Sequence, residues 1–187
     1  TLLFTDIEGS TRLWAQEPER MRHALARHDA LLRAAVESNR GAIVKTTGDG
    51  IYATFDDPLG GLHATLSIQR ALADPAATSD IPLRVRCALH IGVVEHRDGD
   101  YFGPPLNQVA RLLAAGHGGQ TLVSSVTCEL CNDRLPAGAA LKSLGEHMLK
   151  DLARRQTIYE LGHPSLPPAF PPLRTLLAPL DTRLPSI

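Results

Sequence analysis

The chain has 187 residues, 43% of them hydrophobic and 21% charged, and a formal net charge of -1. That length can bury a core of its own, and the composition is globular rather than disordered. The near-neutral charge excludes a broadly basic surface for nucleic acid. No apolar run reaches the length of a membrane span, and no signal peptide is visible.

Three cysteines cannot all pair with one another, and so low a count fits a reducing cytoplasm. Leu2 to Thr5 is an apolar run that predicts a buried strand ending at Asp6. A strand that begins at the second residue is expected of a piece of a longer polypeptide. Glu8-Gly9-Ser10-Thr11 predicts a turn, with Ser10 or Thr11 as helix cap. Pro18 suits the first turn of a second helical stretch. Apolar positions from Met21 to Val36 recur at helical spacing, and Gly41 is expected to end that helix. Trp14 is expected to pack from the first helix.

Ala42 to Thr46 and Ile51 to Phe55 predict a hairpin with Asp49 near its tip. Pro58 to Leu72 predicts a helix, Ala76 to Asp80 a loop and Leu83 to Ile91 a strand. A short connection follows from Gly92 to Asp100. Pro105 to Ala115 predicts a helix stopped by glycines, and Thr121 to Ser124 a strand with a short helix after it. Leu141 to Leu149 and Thr157 to Leu161 are the closing strands. The resulting βαββαβ order predicts an α+β, ferredoxin-like core with extra C-terminal strands. Seven of the fourteen prolines lie between Pro164 and Ile187, so 163–187 is expected to be an extended linker behind a domain of residues 1–162.

Asp6 and Asp49 each sit at a strand end, where two carboxylates could hold hard cations. Alone, an Asp-Gly pair such as Asp49-Gly50 is more often a plain turn. The turn at Gly9, Ser10 and Thr11 offers N–H groups to a phosphate, or an ordinary helix start. Lys45 donates and Asp100 accepts, which matches the N1 acceptor and N6 donor of adenine. Each could equally be a solvated surface charge. Asn107 and Arg111 share a helix face at i, i+4, as an exposed polar stripe or as ribose and phosphoryl contacts. Cys128 and Cys131 form a lone C-x-x-C, which reads as helix packing.

FTDIEGST, KTTGDG and DYFGPPLNQVAR, in that order, resemble the catalytic domain of class III adenylate/guanylate cyclases over about residues 1 to 161. The resemblance implies the class III cyclase fold acting as a head-to-tail homodimer. It implies that ATP becomes 3',5'-cyclic AMP and pyrophosphate with two divalent cations, Mg²⁺ or Mn²⁺. By this resemblance Asp6, Asp49 and the Ile7 carbonyl hold the metals, and Lys45 with Asp100 selects adenine. Asn107 orients the ribose and Arg111 stabilises the transition state. Lys150 and Arg86 resemble triphosphate contacts. The short Gly92 to Asp100 connection and the FPPLR segment resemble bacterial cyclase domains placed ahead of ATPase and DNA-binding regions. Fusion to further regulatory domains is therefore expected, in a cytoplasmic protein whose cyclase domain itself touches neither membrane nor nucleic acid. Other NTP cyclases (GTP, CTP or UTP) and a nucleotide-sensing module with little turnover are the alternatives. GDGIY lacks the GG[DE]EF-type hairpin of a diguanylate cyclase.

Overall fold

The computed structural model describes residues 1–74 and 81–175. The loop expected over Ala76 to Asp80 and the last part of the expected linker, 176–187, lie outside the described residues. In chain order the elements begin with β1 (Leu2–Ile7), α1 (Ser10–Gln16), α2 (Pro18–Ser38), β2 (Gly41–Thr46), β3 (Ile51–Phe55) and α3 (Pro58–Ala73). They continue through β4 (Val85–His90), β5 (Glu95–Arg97), β6 (Asp100–Phe102), α4 (Pro104–Ala115), β7 (Thr121–Ser124) and α5 (Ser125–Cys131). A 3₁₀ turn at Asn132–Arg134 precedes β8 (Ala140–His147) and β9 (Gln156–Gly162).

One sheet runs in the order β2-β3-β1-β4-β7-β9-β8, and β5 with β6 makes a separate two-stranded ribbon. The unit β1-α2-β2-β3-α3-β4 is ferredoxin-like, with β1 antiparallel to both β3 and β4. β4 and β7 are parallel, so α4 is the crossover that such a pair requires. The α+β fold predicted from the pattern is therefore present, with β8 and β9 extending the sheet at its far edge.

Alternation along β1 decides which side chains meet which helices. Leu3 and Ile7 join Met21, Leu32, Val36, Leu62 and Ile68 in a core beneath α2 and α3. Leu2 joins Tyr52, Val109, Leu112 and Leu122 in a second core beneath α4. Burying each such leucine fully contributes about 1.5–3 kcal/mol. Phe4 and Asp6 share the parity of Leu2 and so belong to the α4 face. No helix among the described residues is long and apolar enough to cross a membrane.

Several local expectations are corrected. Neither Ser10 nor Thr11 caps α1. Gly9 holds that position in a left-handed conformation (φ 73), without a side-chain hydrogen bond. Its carbonyl instead accepts from the Arg12 and Leu13 amides at 3.1 and 3.2 Å. Gly41 does not stop α2, which ends at Ser38. It opens β2, where a Cβ would strike the Phe55 ring at 2.3 Å. Trp14 is 37% exposed, because α1 buries none of its residues and only Leu13 leans on the core. Residues 163–175 form neither helix nor strand, but they are not detached. Leu166 packs on the first core and Leu173 on the second.

Cys87, Cys128 and Cys131 are buried free thiols, and burial pushes Cys87 up to about 12. His90 is buried on β4 with its Nδ1 2.9 Å from Ser124 Oγ. Burial, aided by the Thr1 amino group, pulls its pKa down from 6.5 to about 4. Between those values the unfolded chain binds a proton that the folded chain refuses, so stability rises with pH there. The melting midpoint should therefore fall as pH drops through this window, and His90→Gln should flatten the dependence. Differential scanning fluorimetry from about pH 7.5 to about pH 4.5 measures both. An unchanged slope in His90→Gln would assign the pH dependence to other groups.

Candidate active site

The tip of the β2–β3 hairpin is pinned against the end of β1. The Thr47 amide donates to the Gly50 carbonyl at 2.9 Å, and Gly48 takes φ 76. Ile51 N donates to Thr5 Oγ1 at 2.9 Å. A Cβ on Gly50 would lie 1.9 Å from the Thr5 carbonyl oxygen, so only glycine lets the strands approach this closely. This places Asp49 beside the strand end that carries Asp6 and Ile7.

Asp49 Oδ2 is buried and has no hydrogen-bond partner. A buried carboxylate oxygen left this way is costly, and a cation is the natural complement. The Asp6 carboxylate accepts from the guanidinium of Arg86, its cross-strand neighbour on β4. Asp6, Asp49 and the Ile7 carbonyl offer only oxygen donors, the type that hard divalent ions prefer.

Lys45 and Asp100 are 55 positions apart in sequence and meet with Nζ 2.5 Å from Oδ2. The other Asp100 oxygen accepts from the Tyr101 amide at 2.8 Å. The Lys45 hydrogen bond, then that amide, hold the Asp100 carboxyl below its ordinary range. Beneath them lies Tyr52, the strand partner of Lys45, with its ring tilted against Phe4 at 4.7 Å and edge-on to Tyr101 at 6.2 Å. Burial first, then Tyr101 and Asp100, push its hydroxyl up to about 12. The phenol stays protonated, and its oxygen is buried without a partner.

Asn107 and Arg111 line one open groove of about 620 Å³ together with Tyr101, Phe102 and Asp151. Arg111 is ion-paired to Asp151 at 2.7 Å. Lys150 is exposed beside Asp151, which is held at φ 60. Neither Asp6 nor Asp49 lines this groove. Within a single chain the strand-end carboxylates and the polar pair on α4 thus lie apart. Gly9 is exposed and Ser10 and Thr11 form the first turn of α1, next to the carboxylates.

Two groups and one pairing escaped the sequence reading. Asp151 follows Lys150 directly, but nothing local to it indicates a partner on α4. Tyr52 reads as one more strand residue. Arg86 is expected from the sequence only as a triphosphate contact, because its pairing with Asp6 depends on β1–β4 register.

The chain matches the adenylate and guanylate cyclase catalytic domain over residues 1–162, and it belongs to that family. It is 38% identical over 188 residues to a protein of Mycobacterium tuberculosis described as uncharacterized, covering 100% of this chain and 64% of that protein. The chain thus spans less than two thirds of this relative's length. A receptor-type adenylate cyclase of Trypanosoma equiperdum is 29% identical over 204 residues, covering 87% of this chain and 44% of that one. Among solved structures, an adenylate/guanylate cyclase/hydrolase from Silicibacter pomeroyi aligns with TM-score 0.75 at 29% identity, over 85% of this chain and 93% of that chain. The adenylyl cyclase CyaB of P. aeruginosa aligns with TM-score 0.74 at 21% identity, over 86% and 92%, a likeness of fold.

Proposed function

We propose that residues 1–162 form an adenylate cyclase domain. It converts ATP to 3',5'-cyclic AMP and pyrophosphate at two sites shared across a head-to-tail homodimer. The observation that carries the choice of base is the Lys45–Asp100 contact at 2.5 Å. Adenine offers an acceptor at N1 beside a donor amino group, which a lysine and a carboxylate complement, whereas the guanine edge is reversed. Receptor-type adenylate cyclases among the relatives agree with that choice.

Asp6, Asp49 and the Ile7 carbonyl would hold two divalent ions, Mg²⁺ or Mn²⁺. When bound, these ions acidify the ribose 3'-hydroxyl and neutralise the triphosphate. Gly9, Ser10 and Thr11 present the α1 turn to phosphate, and Arg86 and Lys150 add cationic contacts. From the partner copy, Asn107 orients the ribose. Arg111 exchanges Asp151 for the charge that builds on the α-phosphate, a contribution worth roughly 10²–10³ in rate.

The homodimer reading rests on the two separate half-sites and on the apolar surface beside them. Trp14 follows the carboxylate half, while Phe102 lines the α4 groove, and both are more than a third exposed (37% and 39%). An isologous pair would cover both at once and complete two equivalent sites. The buried free thiols suit a cytoplasmic protein, and the longer relatives suit fusion to further domains.

The test is to incubate the purified chain with each of four NTPs and Mn²⁺ and identify products by mass spectrometry. Cyclic AMP as the main product is expected. Cyclic CMP would point to cytosine, which also places an acceptor beside an amino donor, and no product from any NTP would favour a nucleotide-sensing module. Lys45→Glu removes the N1 donor and sets a second carboxylate against Asp100. Its kcat/KM for ATP should fall roughly 10- to 100-fold, in line with about 1–3 kcal/mol per unmet hydrogen bond. An unchanged ATP/GTP preference in that variant would locate base reading elsewhere.

A further inference from the structure

The segment that follows the family-matching region folds back between the turn after β1 and the C-terminal end of α4. Its Pro172 carbonyl accepts from His117 Nε2 at 3.0 Å, and Thr175 Oγ1 lies 3.1 Å from His147 Nδ1. Between these anchors Arg174 makes two contacts of different kinds. Its amide donates to the carbonyl of Ala115 at 2.9 Å. Its guanidinium reaches the Glu8 carboxylate at 2.5 Å, across 166 positions of sequence.

The two targets are unrelated except through function. Glu8 stands two residues after Asp6 and directly before Gly9, in the turn that leaves the carboxylate half. Ala115 is the last residue of α4, one turn beyond Arg111. The turn is otherwise held by few bonds. The Glu8 amide donates to the Arg84 carbonyl at 2.9 Å, and α1 buries no residue that would anchor it. The Glu8 carboxylate also accepts a hydrogen bond from the Gly118 backbone.

We propose that Arg174 is a positioning residue. Through Glu8 it fixes the turn behind Asp6, and through its own amide it ties that turn to the end of the helix bearing Asn107 and Arg111. The proposal rests on the cyclase reading for its effect on turnover, but the mechanical link does not. In a symmetric dimer the two tied halves serve different active sites, so Arg174 also connects one site to the other. The pair is partly exposed, with Arg174 at 47% and Glu8 at 26%, and a pair of this kind adds little to global stability. Its consequence is local order rather than folding.

Arg174→Ala, Arg174→Lys and the charge-swapped Glu8→Arg/Arg174→Glu are compared in the 187-residue chain. Three measurements apply: amide hydrogen exchange over residues 8–13, Mn²⁺ binding by water-proton relaxation, and the Mn²⁺ dependence of cyclic nucleotide formation. Arg174→Ala should speed exchange in the turn and raise the Mn²⁺ requirement roughly two- to fivefold, the factor a surface ion pair supplies, with little change in melting temperature. Arg174→Lys should lie near wild type, and the swap should restore only part of the loss, because the carboxylate at position 8 also accepts from the Gly118 backbone. Unchanged exchange and Mn²⁺ binding in Arg174→Ala would overturn the inference, as would an Arg174→Lys chain as impaired as Arg174→Ala. A large drop in melting temperature with Arg174→Ala would also overturn it, by showing a structural strap. If the wild-type chain forms no cyclic nucleotide while exchange and Mn²⁺ binding respond as expected, the link stands and the cyclase reading falls.

Discussion

Asp49→Ala should leave a chain that melts at or above the parent's temperature and turns over ATP at least about 10³-fold more slowly. The two halves of that expectation come from one atom. Asp49 Oδ2 is buried without a hydrogen-bond partner. Leaving such a group unsatisfied costs about 1–3 kcal/mol, so its removal relieves the fold. A site that sacrifices stability for chemistry behaves in this way. Asp6→Ala should be equally inactive but less stable, since it strips Arg86 of its carboxylate partner while Arg86 Nε already lacks one. The contrast is measured by thermal melts beside a cyclic nucleotide assay at saturating Mn²⁺. Near-normal turnover in either variant would remove both aspartates from the metal site.

The same site shows what a sequence does and does not carry. Helical spacing from Met21 to Val36 marks α2 because one face of a helix must be apolar whatever it packs against. The GDG tip is legible because its glycines answer to local geometry, including the close approach of Gly50 to Thr5. Lys45, Asp100, Asn107 and Arg111 were legible as a set only through resemblance, since each residue alone is an ordinary surface group. Three other ion pairs were not legible. Arg86 meets Asp6, Asp151 meets Arg111 and Arg174 meets Glu8 through contacts between segments that are distant in the chain, which no local pattern encodes. Ser10 and Thr11 failed as caps for a related reason. The reversal out of β1 calls for a left-handed residue, and Gly9 outranks a hydroxyl there. Proline content correctly signals a segment without helix or strand over 163–175, but it is silent on whether that segment docks.

Mixing Asp49→Ala with Arg111→Ala should recover activity that neither variant has alone. The groove holding Arg111 is not lined by Asp6 or Asp49, so the two sets of residues lie apart within one chain. If an active site joins the carboxylate half of one copy to the α4 half of another, every homodimer of either variant lacks one group in both sites. A mixed dimer concentrates both defects in one site. Its other site takes Asp49 from the Arg111→Ala chain and Arg111 from the Asp49→Ala chain, and is intact. Random re-pairing of equal amounts makes about half the dimers mixed, each with one good site of two, so activity should reach roughly a quarter of wild type. Weak association lowers the figure without abolishing the recovery, and raising protein concentration should bring it back. Differently tagged chains and a pull-down establish that mixed dimers have formed. If they have and the mixture stays inactive, the sites are not shared, and the assignment of Arg111 to the partner's chemistry fails with them.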